Sequence, residues 1–148
     1  MSDTDDLHDA SMMDLFRAEV DSHSVVLNDG LVAVAAGAVT KEGLEALMRA
    51  AHSIKGAARI MGLQAVVSVA HAMEDCFVAA QHGQMTLQAE HVDVLLKGVD
   101  LLTRIGREGT EPKTEAAKAE VKEMAAALTS LRENPSNAIL VPAKAPAG

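Results

Sequence analysis

A chain of 148 residues is long enough for one domain with its own hydrophobic core, and too short for a helical bundle joined to an ATP-binding catalytic domain. Acidic residues outnumber basic ones 21 to 13, giving a formal charge of -8, and two Phe are the only aromatic residues besides histidine; a nucleic-acid surface needs clustered cations and stacking rings, so that partner class is excluded. A single cysteine rules out an internal disulfide, no apolar run reaches the ~18 residues of a membrane span, and the start Met1-Ser-Asp-Thr-Asp-Asp6 lacks a basic leader, so a cytoplasmic chain without direct membrane insertion is expected.

Five stretches carry helical periodicity, and the breaks between them fall at Gly or Pro. The first helix is expected from about Asp9 to Ala36, with Asn28-Asp29-Gly30 as a point of interruption and Gly37 as the stop. Thr40 can cap the second, which turns Leu44, Leu47, Ala51, Ile54 and Ala58 inward and ends near Gly62. The third runs from about Leu63 to Gly83 on a stripe of Val66, Val69, Ala70, Met73, Phe77 and Ala80. The fourth spans about Gln88 to Ile105, broken by Gly106 and Gly109, with Val92, Leu95, Leu96, Val99 and Leu102 inside. The fifth spans roughly Thr114 to Arg132 and carries Ala117, Val121, Met124, Leu128 and Leu131. Short connections between long helices favour antiparallel neighbours, so the fold expected is all-α, an antiparallel four-helix bundle with an additional C-terminal helix. The bundle occupies residues 9–133, after a flexible N-terminus at 1–8 and before a Pro/Ala-rich linker at 134–148 that leads to downstream domains.

The chemically informative stretch is Ala50-Ala-His-Ser-Ile-Lys-Gly-Ala-Ala-Arg-Ile-Met-Gly62. At ~100° per residue, Leu47, Ile54, Ala58 and Met61 gather on one side of the helix and His52 points away from them, among Glu45, Arg49, Gly56 and Arg59, with Lys55 one turn along. A neutral imidazole has a nitrogen lone pair at neutral pH and can attack a phosphoryl group without a strong base. Lys55, and with it Arg59, can offset the charge arriving on the ring, while Gly56 costs the helix about 1 kcal/mol relative to Ala and leaves room beside the ring for a bulky partner. On the third helix, His71 and Glu74 share a flank that an antiparallel pairing aims at His52. Glu74 can then hold the proton on one ring nitrogen and leave the other free to attack, with His71 joining the network. The other histidines, His8, His23, His82 and His91, read as surface or packing residues, and Cys76 as packing.

Ala51-His-Ser-Ile-Lys-Gly56, then Gly62, then His71-Ala-Met-Glu74 resemble the N-terminal phosphotransfer domain of CheA-type chemotaxis histidine kinases and their hybrid relatives, over about residues 9–132. The resemblance implies a histidine phosphotransfer (HPt) domain with His52 as the phosphoacceptor, Lys55, His71 and Glu74 as its supporting network, and Gly56, Arg59, Arg49 and Glu45 as the surface on which partners dock. It implies further that a kinase ATP-binding catalytic domain donates the phosphoryl group and that an aspartate of a response-regulator receiver accepts it. ATP and Mg2+ would then be bound by those partners, with no cofactor in this domain, and the isolated domain would be a monomeric phosphocarrier cut from a dimeric kinase. Ala57 stands where the family often has a second Gly, and Ala58-Arg-Ile-Met61 where it often has a polar or Gly-rich step. With Arg59, that pattern is similar to the surface-sensing WspE type.

Two other readings fit the chain less well. A di-iron bundle needs two Glu-x-x-His motifs, and the sequence has none. A pure interaction bundle has no use for the histidine, yet His52, Lys55 and Gly56 are all present.

Overall fold

A computed structural model describes residues 3–133; residues 1 and 2 and the expected linker at 134–148 lie outside the described residues. Five helices make up the described chain: α1 (Asp3–Ala35), α2 (Lys41–Met61), α3 (Gln64–Gln81), α4 (Ala89–Glu108) and α5 (Glu115–Glu133). Helix α1 packs on α2 and α4, and α3 packs on the same two, so four helices close a ring; α5 then lies against α3 and α4. This is the expected all-α bundle with its extra C-terminal helix.

The core is built from the expected stripes. Leu47, Ala51, Ile54 and Ala58 of α2 meet Val66, Val69, Ala70, Met73 and Phe77 of α3, all of them buried. Leu44, Ala80, Leu96 and Met124, also expected to face inward, are only partly buried at the margin of the core. Cys76 lies in the interior, its thiol donating to the Leu128 carbonyl at 3.2 Å, and burial pushes its pKa up to about 12. His91 is fully buried, and its Nδ1 accepts the Gln88 N–H at 3.0 Å to cap the start of α4.

Three expectations about helix limits need correction. Helix α1 begins at Asp3, so residues 3–8, expected to be flexible, are helical. It also runs unbroken through Asn28-Asp29-Gly30: a Cβ at Gly30 would lie 2.7 Å from Leu47 Cδ2, so this glycine marks a close approach of α1 to α2. Gly106 likewise sits inside α4, where a Cβ would meet Val20 of α1 at 3.1 Å, and the helix ends instead at Gly109 with φ 75°. Missing side chains at these two interior positions serve helix packing rather than helix termination.

The connection between α2 and α3 fixes the rest. Gly62 takes the left-handed conformation (φ 73°), with its N–H bonded to the Arg59 carbonyl at 3.1 Å and the Leu63 N–H bonded to the Ala58 carbonyl at 2.9 Å. Those two bonds end α2 in a Schellman turn, and α3 starts two residues later. Leu63, at the N-cap of α3, has no side chain able to accept a bond. Its place is taken by Glu111 from the α4–α5 connection, whose carboxylate accepts the Gln64 N–H and, at 3.0 Å, the Ala65 N–H. An anion at a helix N-terminus satisfies orphan donors and opposes the positive end of the helix dipole. Glu111→Ala is therefore expected to lower stability by about 1 kcal/mol, roughly 3–6 °C in Tm; calorimetry showing an unchanged Tm would contradict the capping role.

Candidate functional site

Glu45, Arg49, His52, Gly56 and Arg59 form one row along the solvent face of α2, spaced four, three, four and three residues apart. His52 exposes 63% of its side chain, on the opposite side from buried Leu47, Ala51, Ile54 and Ala58. The hairpin sets what faces it. His52 lies nine residues before the end of α2 at Met61, and Glu74 ten residues after the start of α3 at Gln64. At 1.5 Å per residue both are about 14–15 Å from the bend, so the antiparallel pair brings them level.

The result is a three-member array centred on one carboxylate. His52 Nδ1 lies 2.7 Å from Glu74 Oε2, and Lys55 Nζ lies 2.6 Å from Glu74 Oε1. Lys55 and Glu74 each expose only 12% of their side chains, so the charge pair is largely withdrawn from water beneath an exposed ring. The lysine contact is a close ion pair rather than an aligned hydrogen bond. Burial alone would push the Glu74 carboxyl up, but the Lys55 ammonium and then the His52 ring outweigh it and hold the carboxyl below its ordinary value of 4.5.

An ionised carboxylate can only accept hydrogen bonds, so the proton between His52 and Glu74 belongs to Nδ1. In the neutral ring Nε2 then carries the lone pair, on the side of the imidazole remote from Nδ1 and its carboxylate partner. Gly56 completes the setting: a Cβ placed there would find nothing within 4 Å, so the flank of the ring is open.

The remaining sequence-predicted residues fall into two groups. Glu45 and Arg49 pair with each other, with Arg49 Nη2 2.8 Å and Nε 3.1 Å from the same oxygen, Glu45 Oε2. Arg59 is exposed and has no ion-pair partner among the described residues. His71 does not join the array: its Nε2 lies 3.6 Å from Asp75 Oδ2, and 55% of its side chain is exposed. Asp75 stands one turn along the same helix, where i,i+4 geometry favours the pairing, and it takes the ring that was expected to support His52. Lys55, expected in the supporting network, meets His52 through Glu74, whose carboxylate its ammonium engages. Among the described residues, no group of three or more His, Cys, Asp or Glu is placed to hold a metal ion, and no helix is long and apolar enough to cross a membrane.

Residues 11–134 match the family model described as the Hpt domain. The chemotaxis protein CheA of Listeria monocytogenes is 29% identical over 85 residues, which are 57% of this chain and 14% of that protein. CheA of Rhizobium meliloti is 29% identical over 116 residues, 76% of this chain and 15% of that protein. The chain thus spans about a seventh of the length of these curated relatives. Among solved structures, the phosphorylated P1 domain of CheA3 in complex with CheY6 from R. sphaeroides superposes with a TM-score of 0.67 at 22% identity, over 80% of this chain and 95% of that one, and so shares its fold.

The electrostatic balance at Glu74 can be measured directly. In the wild type, carboxyl NMR is expected to show Glu74 titrating below 4.5, so its bond to His52 persists at ordinary acidity and is lost only as pH falls through that lower value. Lys55→Ala removes the largest counterweight to burial, and the midpoint is expected to rise. A midpoint that stays put would show that Lys55 does not hold the carboxylate.

Proposed function

Since the chain belongs to the Hpt domain family, we propose that it carries a phosphoryl group on Nε2 of His52, taking it from ATP through a kinase catalytic domain and giving it to an aspartate of a response-regulator receiver. The observation that carries this reading is the 2.7 Å contact from His52 Nδ1 to an ionised, largely buried Glu74, which fixes the Nδ1 proton and makes Nε2 the reactive nitrogen of the neutral, exposed ring.

In the loading step, the Nε2 lone pair attacks the γ-phosphorus, the bond from that phosphorus to the β,γ-bridging oxygen breaks, and ADP leaves with the electron pair. Nδ1 keeps its proton throughout, and the ring gains positive character that the Glu74 carboxylate opposes. In the transfer step, an aspartate oxygen of the receiver attacks the phosphorus, and the electron pair of the P–N bond returns to Nε2. Both steps depend on alignment and charge more than on covalent chemistry from this chain. ATP and Mg2+ are held by the partner domains, and this domain needs no cofactor of its own.

Protein partners of this kind require an open approach and some apolar surface to bury. Gly56 supplies the first. For the second, Leu15 and Ile60 expose 60% and 76% of their surface beside a groove of about 360 Å³ that reaches Ser53 and Ala57, next to the phosphoacceptor. Arg59, Arg49 and Glu45 form the charged part of the same docking face. The parent protein in this reading is a cytoplasmic, dimeric, CheA-like protein-histidine kinase, of the WspE type by its Arg59 pattern, and the isolated domain is a monomer.

Incubation with a cognate kinase and labelled ATP is expected to give acid-labile, base-stable label on the wild type and none on His52→Gln; equal labelling of that variant would remove His52 from the reaction. Gly56→Leu is expected to favour the helix by roughly 1 kcal/mol and yet to block transfer to and from both partners. Full transfer activity in that variant would show that the open flank is not where partners approach.

A further inference from the structure

Phosphorylation places close to two negative charges on the ring, and the cation expected to meet them, Lys55, is already committed. Its ammonium lies 2.6 Å from Glu74 Oε1 with both side chains at 12% exposure. Pulling it away would leave a largely buried carboxylate without its counter-charge, which is costly, and would loosen the very contact that holds the ring. Arg49 is differently placed. It sits one turn before His52 in the same surface row, with Cβ atoms about 5–6 Å apart. Side chains on a helix lean toward its N-terminus, the direction in which Arg49 lies from His52. Arg59, by contrast, lies about 10 Å farther along the axis on the other side.

Resting on the phosphocarrier reading, we propose that Arg49 is the residue that contacts the phosphoryl group on His52 Nε2, and that Glu45 is a positioning residue that holds Arg49 in reserve until the group arrives. Arg49 is 72% exposed and Glu45 47%, with both guanidinium contacts directed at a single carboxylate oxygen. An exposed i,i+4 pair of this kind is among the weakest ionic contacts in a protein. Exchanging it for a dianion one turn away is therefore inexpensive, and the planar guanidinium suits phosphoryl oxygens better than an ammonium does. The Lys55–Glu74–His52 array stays intact during the exchange.

The test uses the full 148-residue chain and phosphoramidate as a small phosphodonor, so no kinase or receiver is needed. The Nε2 lone pair attacks its phosphorus, the P–N bond breaks, and ammonia leaves with the electron pair. By NMR, the Arg49 Nε–H resonance is expected to shift as His52 is phosphorylated, and to stay in place in His52→Gln. Arg49→Ala is expected to slow phosphorylation by about two- to fivefold, Arg49→Lys to recover part of the rate, and Glu45→Gln to raise it. The differences should shrink in 1 M salt. A purely structural role for the pair would move Arg49→Ala and Glu45→Gln in the same direction, which would overturn the proposal, as would an Arg49 resonance that ignores phosphorylation while His52 is loaded. Failure to load His52 at all would overturn the phosphocarrier reading as well, so the two failures are distinct.

Discussion

A carboxylate has two oxygens, and at Glu74 each has one partner: the ammonium of Lys55 and the ring N–H of His52. Removing that charge from water is favourable only because both partners come with it. The arrangement links three properties. The ammonium keeps the carboxylate ionised, the ionised carboxylate fixes the ring tautomer, and the tautomer decides which nitrogen keeps the lone pair. Lys55 thus acts on the ring through Glu74, from a position where it is shielded by the same packing that shields its partner.

Little beyond ordinary helix geometry is needed to assemble this. A two-residue bend between α2 and α3 puts His52 and Glu74 at nearly equal distances from the turn, and the buried stripe of each helix sets their rotation. The bend itself depends on a left-handed glycine on one side and on a borrowed carboxylate, Glu111, on the other. The site is therefore closely packed where the ring is held, at largely buried Glu74, and open on the flank beside Gly56. Phosphoryl carriage between proteins needs both, because the group has to be held in one geometry yet be reached by two large partners in turn.

Most of this was legible in the sequence because a 3.6-residue period states both which side chains are buried and which are not. His52 falls opposite Leu47 and Ile54 by arithmetic alone, and Glu74 follows once α2 and α3 are taken as antiparallel neighbours. Thr40 and Gly62 announce the limits of α2 by residue type, since each suits a backbone conformation that ends a helix. Other features were hidden for physical reasons. Gly30 and Gly106 read as breaks because a glycine lowers helix propensity whether or not a neighbouring helix presses against it, and only the tertiary packing tells the two cases apart. The capping of α3 by Glu111 joins residues 47 apart and leaves no local pattern. His71 could turn toward the His52–Glu74 network or toward Asp75 one turn along its own helix, and spacing alone did not decide between them; its ring pairs with Asp75.

The interior position of the lone sulfhydryl has a practical side. Burial pushes its pKa up to about 12, so thiolate is scarce at neutral pH, and the buried sulfur is screened from bulky reagents. The native chain is therefore expected to react little with maleimides and similar electrophiles. A fluorophore or spin label can accordingly be installed at a single engineered surface thiol without first mutating Cys76, giving an optical or magnetic view of partner encounters on an otherwise unaltered domain.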